Sequence, residues 1–297
     1  MTKRLFDNEN EHKTDNILRA GLEKEGYRVC PKIRLADIIK LDKKKLSRQA
    51  YSYALKAHFD FTIYDKNNRP AFSVEFDGYY HYNDDRAKKN DKLKEQICLQ
   101  YAYPLLRIDA GFFKKVNSTT ILSWLAKTWC FNVQFYEQQQ KKFIPQEEDF
   151  DYFSIAGVDS NFNLIFPYDP FREYRLFFAK MFSEKKIISR QPYHLIWRDA
   201  DGFIHCLKYL LISKEKAIKQ SCKVKGYSYF PVTDDQLCEA IALFLIYEKY
   251  VEYQKSSCHS IDVEELYSEL KAIGDKYECS VFSDVVKIDT PFFKSEE

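Results

Sequence analysis

The sequence predicts a mixed α/β domain followed by a separate α+β domain. Three observations lead there. Over roughly the first 110 residues the signals run helix, strand, hairpin, helix, strand, the order that packs helices on a mixed sheet. A polar, charged stretch, EQQQKKFIPQEEDFD at 137–151, then reads as a boundary. Beyond it, hairpin signals are followed by two helical segments. The expected domains are residues 1–136 and 150–297. The length of 297 residues suits two modest domains, and 24 Phe with 22 Tyr supply ample core material.

The first expected helix is ENEHKTDNILRAGLEKEG, 9–26, with Gly26 as its stop and Ile17, Leu18 and Leu22 as its apolar stripe. Asp15 falls on the inward edge of that face, and Glu11 lies one turn earlier. Both also fit plain N-terminal acids favoured by the helix dipole. YRVCPKIRLADII reads as a strand and a short turn or helix. The basic run that follows, with Lys40, Lys43, Lys44, Lys45 and Arg48, suits phosphate contacts or a solvated loop equally.

The segment HFDFTIYDKNNRPAFSVEFDG is an alternating hairpin around the turn DKNNRP. Phe59, Phe61 and Ile63 share one face with Phe72, Val74 and Phe76. Asp60, Glu75 and Asp77 share the other. A turn centred near Asn67 and Asn68 places the positions paired with Asp60 near residue 75. From about Asp84 a helix follows, with Leu93, Ile97 and Tyr101 as its stripe and Asp91 and Lys94 beside it. PLLRIDA then reads as a short apolar strand.

Composition excludes several classes. A formal net charge of +2 gives no global argument for nucleic acid, so any basic surface is local. The eight cysteines contain no CxxC pair, and their spacing with the histidines supports no zinc site. Reduced cysteines in a cytoplasmic protein are expected, because the opening MTKRLFDNENEHK is polar. No run of eighteen apolar residues predicts a membrane span.

Carboxylates in an otherwise apolar strand are costly unless solvated or paired, and a divalent cation is one partner that offsets the cost. Two or three carboxylates around Mg²⁺, with a Lys or His nearby, are the residue types that phosphodiester hydrolysis needs. Each residue also has a plainer reading: Glu75 and Asp77 as a solvent face, His81 as a surface histidine, Lys94 as a solvated helix residue.

The ordered blocks HFDFTIYD, SVEFDGYYH, DKLKEQI and YPLLRI resemble the PD-(D/E)XK nuclease superfamily, in the branch similar to bacterial very-short-patch repair endonuclease-like domains. The resemblance covers residues 9–110 and implies a restriction-endonuclease-like mixed sheet flanked by helices. It implies Asp60 and Glu75 as metal ligands, with the backbone carbonyl of Phe76 as a further one. It implies a helix acid, Asp15 or else Glu11. Asp77 stands where the eponymous lysine is usual, so Lys94 or His81 would assist the water, with Asp91 orienting one of them. Arg107 would support its strand or face a phosphate.

The resemblance therefore implies a Mg²⁺-dependent endonuclease, with Mn²⁺ as an alternative ion, acting on nucleic acid and most simply on DNA. A role in phage defence or mobile-element biology suits such an enzyme. The rivals are an inactive nuclease-like module that binds nucleic acid or protein, and a nuclease subunit switched on by a partner.

Residues 150–297 lie beyond the resemblance. YFSIAGVDSNFNLIF and HLIWRDADGFIHCLKYLLIS read as hairpins, and 234–254 and 261–277 as helices. YDPFREYRLFFAKMF suits core packing better than base stacking. Target recognition, docking of a protein partner or homo-oligomerisation is the expected role.

Overall fold

Residues 8–78, 85–154, 157–158, 164–165, 168–256 and 260–282 are described by a computed structural model. They form two units, Met1–Pro170 with Lys225–Asp234, and Phe171–Val224 with Asp235–Glu297. His81 lies outside the described residues.

The first unit begins with α1 (Glu9–Leu22). The Asn8 side chain caps it by accepting from the Glu11 N–H at 2.9 Å. Leu18 and Leu22 are fully buried. A single 3₁₀ turn follows and ends at Gly26, whose φ of +83° is the left-handed stop that glycine enters without a Cβ penalty. Then come β1 (Arg28–Arg34), α2 (Leu35–Ile38), α3 (Arg48–Ala54), β2 (His58–Tyr64) and β3 (Pro70–Phe76). After these run α4 (Asp85–Gln100), β4 (Leu105–Ile108), the short pair β5 (Lys115–Val116) and β6 (Thr119–Thr120), and α5 (Ile121–Gln140). A second short pair, β7 (Gly157–Val158) and β8 (Leu164–Ile165), completes the elements before residue 170.

The main sheet has the order β1-β2-β3-β4. The first two pairings are antiparallel and β3–β4 is parallel, so the sheet is mixed and α4 makes the crossover. In the hairpin Phe61 pairs with Val74, Thr62 with Ser73 and Ile63 with Phe72. One step further along that register sets Asp60 beside Glu75. The turn is closed by Asp65, whose carboxylate accepts from the N–H groups of Asn67 and Arg69, each at 2.8 Å.

Helices cover both faces. On one, Phe72 packs against Trp129 of α5, and α1 lies along α5. On the other, Ser73 bonds the Tyr103 hydroxyl at 2.9 Å, and Ile97 and Cys98 of α4 join the core with Leu105 and with Phe59, which strict alternation assigns to the Phe72 face but which packs on Tyr103. The acid-bearing face of the hairpin is therefore not a water face. Thr62 and Ser73 are fully buried, and Glu75 and Asp77 nearly so. The segment 225–234 also joins this unit: Phe230 packs on Phe72 and Trp129, with ring centroids 5.2 and 5.0 Å away.

The second unit contains α6 (Arg172–Ser183), β9 (Tyr193–Arg198), β10 (Phe203–Leu211), β11 (Lys216–Lys225), α7 (Asp234–Ser256), β12 (Ile261–Asp262), α8 (Val263–Gly274) and β13 (Cys279–Phe282). Its antiparallel sheet has the order β12-β11-β10-β9-β13. The DADG turn joins β9 to β10, with Gly202 at φ +78°. Residues 261–262 pair with β11, so the helix expected from 261 starts two residues later. The aromatics of α6 pack on α7: Tyr174 against Phe244 and Tyr247, Phe178 against Tyr250. That is core packing rather than a stacking platform. No described helix is long and apolar enough to cross a membrane.

Candidate active site

Asp60 and Glu75 are tied to each other through the sheet. The Asp60 N–H donates to Glu75 Oε1 at 3.2 Å, and the Phe76 N–H donates to Asp60 Oδ2 at 2.9 Å. The hairpin register brings the two carboxylates together, and the bonds fix their orientation. They also set the Phe76 peptide beside Asp60.

Two lysines hold the remaining oxygens. Lys94 of α4 places Nζ 2.7 Å from Glu75 Oε2 and donates to the His58 carbonyl at 2.8 Å. Lys32 of β1 places Nζ 2.8 Å from Asp60 Oδ1 and 3.2 Å from Glu11 Oε1. Glu11 thus reaches the Asp60 side of the site. Asp15, one turn on, instead pairs with Arg19 at 2.8 Å, and its Oδ1 is buried with no hydrogen-bond partner.

Burial lifts the Glu75 carboxyl to about 7, with Asp60 adding to the rise and Lys94 opposing it. Burial works against the Lys94 ammonium, but Glu75, Tyr53 and Asp60 together outweigh it and raise its pKa above the ordinary lysine value. An ammonium held charged beside a buried carboxylate is suited to stabilising a developing anion.

Asp77 has a different environment. Arg107 grips it, Nε to Oδ2 at 2.8 Å and Nη2 to Oδ1 at 2.6 Å. Nη2 also lies 3.0 Å from Asp91, and Nη1 faces Glu95 at 3.8 Å. Burial opposes the Arg107 charge, yet Asp77 and Asp91 raise its pKa well above the usual value. Arg107 therefore braces β4 against α4, and Asp91 serves Arg107 rather than Lys94.

Asp60 and Glu75 offer carboxylate oxygens, the donor type that suits a hard divalent ion such as Mg²⁺, and Glu11 lies on the far side of Lys32 from Asp60. Among the described residues, no three His, Cys, Asp or Glu side chains already converge as a cage. The ammonium groups of Lys32 and Lys94 compensate the acids instead. Sequence reading missed Lys32. The one hint in the sequence is Pro31 before it, which marks an edge or an irregularity in a strand.

Residues 3–120 match the family model described as "Protein of unknown function (DUF2726)". That span contains Glu11, Asp15, Lys32, Asp60, Glu75, Asp77, Lys94 and Arg107. No curated protein and no solved structure matches the chain.

Proposed function

We propose that the first unit is a divalent-metal-dependent nuclease of the PD-(D/E)XK type, acting on nucleic acid and most simply on DNA. The observation that carries this reading is the reciprocal bonding of Asp60 and Glu75 on adjoining strands, with Lys94 seated on Glu75. Asp60 and Glu75 would hold Mg²⁺ or Mn²⁺, with the Phe76 carbonyl beside them. The bound ion would supply charge neutralisation at the phosphate and a more acidic water. Glu75 would act with Asp60 as an ion ligand, and Lys94 or His81 would assist the water. Lys94, held charged by its pairing with Glu75, would stabilise the extra negative charge on the phosphoryl oxygens. The exposed Lys43, Lys44, Lys45 and Arg48 would position the backbone of the substrate. A phage-defence or mobile-element role fits such an activity.

A second reading has its own support. Lys32 and Lys94 already compensate Asp60 and Glu75, so the acids are stable without any ion. This favours a nuclease-like module that only binds nucleic acid or a protein. Incubating the full-length protein with supercoiled plasmid, linear duplex, single-stranded DNA and RNA, in Mg²⁺, Mn²⁺ or chelator, separates the two. The nuclease reading expects metal-dependent products that an Asp60→Asn variant, folded by circular dichroism, no longer makes. Salt-sensitive binding without products under any metal would establish the binding module instead.

A further inference from the structure

Lys32 sits in a part of β1 where the ladder breaks. Pro31 pairs with Phe61 and Ile33 with Phe59, while Lys32 itself has a φ of +54°. A residue with a Cβ enters that left-handed region at a cost of about 1–2 kcal/mol. Lysine gains nothing intrinsic from it, so the surroundings must hold the kink in place. The kink delivers Nζ to two carboxylates on separate elements, Asp60 of β2 and Glu11 of α1. Two acids brought to one point repel unless a cation lies between them. Here the chain supplies that cation itself.

The two lysines of the site differ in how firmly they are held. The Lys94 side chain is 8% exposed and is bound by Glu75 and by the His58 carbonyl, beside the Phe59 ring. The Lys32 side chain is 32% exposed, so its ammonium has a route to water that Lys94 lacks.

We propose that Lys32 is an exchangeable internal cation: it neutralises Asp60 and Glu11 in the absence of the divalent ion that Asp60 and Glu75 hold in the working site, and it swings out when that ion binds. The inference deepens the nuclease reading and rests on it for the identity of the ion. Binding the ion then means breaking both Lys32 ion pairs, so this one side chain sets the affinity of the site. Lys94 stays in place on Glu75 through the exchange.

Two measurements on the full-length, chelator-stripped protein test this. The first is calorimetric titration with Mn²⁺. Lys32→Met should bind at least tenfold more tightly than the wild type, at a site that Asp60→Asn removes from the Lys32→Met background. Lys32→Gln serves should the methionine variant fail to fold. The second is amine acetylation of the wild type read by mass spectrometry. Acetylation of Lys32 should rise several-fold on adding Mn²⁺, while that of Lys94 stays unchanged.

Equal or weaker Mn²⁺ binding by a folded Lys32 variant, or Lys32 acetylation that Mn²⁺ does not alter, would overturn the proposal. Cleavage judges the nuclease reading separately. Wild-type cleavage with unaltered Lys32 behaviour would retain the nuclease and discard the exchange. Tightened Mn²⁺ binding and exposed Lys32 without cleavage would retain the exchange and discard the nuclease.

Discussion

Arg107 on β4 holds Asp77, just past the end of β3, through two hydrogen bonds of 2.8 and 2.6 Å, with both side chains buried. Removing one member of such a pair leaves the other charge uncompensated in a dry site. Arg107→Met should therefore cost about 3–5 kcal/mol of stability. Asp77→Asn should also destabilise, and the double variant should lose less than the sum of the two. A double-mutant cycle by chemical denaturation measures the coupling. If Asp77 has the bracing role its geometry gives it, any loss of activity in Asp77→Asn will track the fraction of protein unfolded.

Phe230 tests whether the segment 225–234 is part of the first unit's core. Its ring meets Phe72 edge-on and lies tilted against Trp129. Phe230→Ala should destabilise this unit by about 3–5 kcal/mol, the range for emptying a buried aromatic site. Hydrogen exchange should report the loss in β3 and α5. Unchanged protection there would show that the contact contributes little.

His194 of β9 gives the second unit a pH dependence. Burial, and then Lys208, depress its pKa from 6.5 to about 4, while Glu239 pulls the other way. Its Nδ1 lies 3.5 Å from the Lys208 ammonium, which pairs with Glu239; Arg175 lies 3.6 Å from the same carboxylate. Between those pKa values the unfolded chain binds more protons than the folded one. Stability is thus fully present above 6.5 and falls as the pH drops towards 4. In His194→Gln this acid limb should be shallower, as read from denaturation midpoints at pH 7, 5.5 and 4.5.

The left-handed backbone at Lys32 predicts an unusual ordering of two small substitutions. Lys32→Gly and Lys32→Ala both lose the ion pairs to Asp60 and Glu11. Only glycine enters a φ of +54° without strain. The glycine variant should be the more stable by about 1 kcal/mol, the reverse of the usual order within a strand. Equal stability, or a more stable alanine variant, would mean the kink relaxes once the ammonium is gone.

Several features could be read directly from the sequence because they follow from local chemistry. The alternation in β2 and β3, with Asp65 and two asparagines between them, fixed the register that sets Asp60 beside Glu75. Gly26 marked where the first helical segment stops. Other features depend on partners distant in the chain. Glu11 and Asp15 lie on one helix face, and spacing alone does not say which reaches Asp60. Lys32, from β1, makes it Glu11, while Arg19 engages Asp15. Spacing alone leaves Arg107 two roles, and its bond to Asp77, thirty residues earlier, decides between them. The return of residues 225–234 to the first unit carries no periodic signal at all, since a few aromatic contacts produce it. The kink at Lys32 was invisible because the residue types that announce a positive φ are glycine and asparagine.

The two borders of the four-stranded sheet carry a further consequence. On one side β1 contains a proline without an N–H and then a residue turned out of the extended conformation. On the other, Ser228 makes a bridge to Leu105 of β4. A foreign strand arriving at either side meets an interrupted row of donors and acceptors. Self-association of this unit by strand addition is thereby disfavoured, and any higher-order assembly it joins should use helix or loop surfaces.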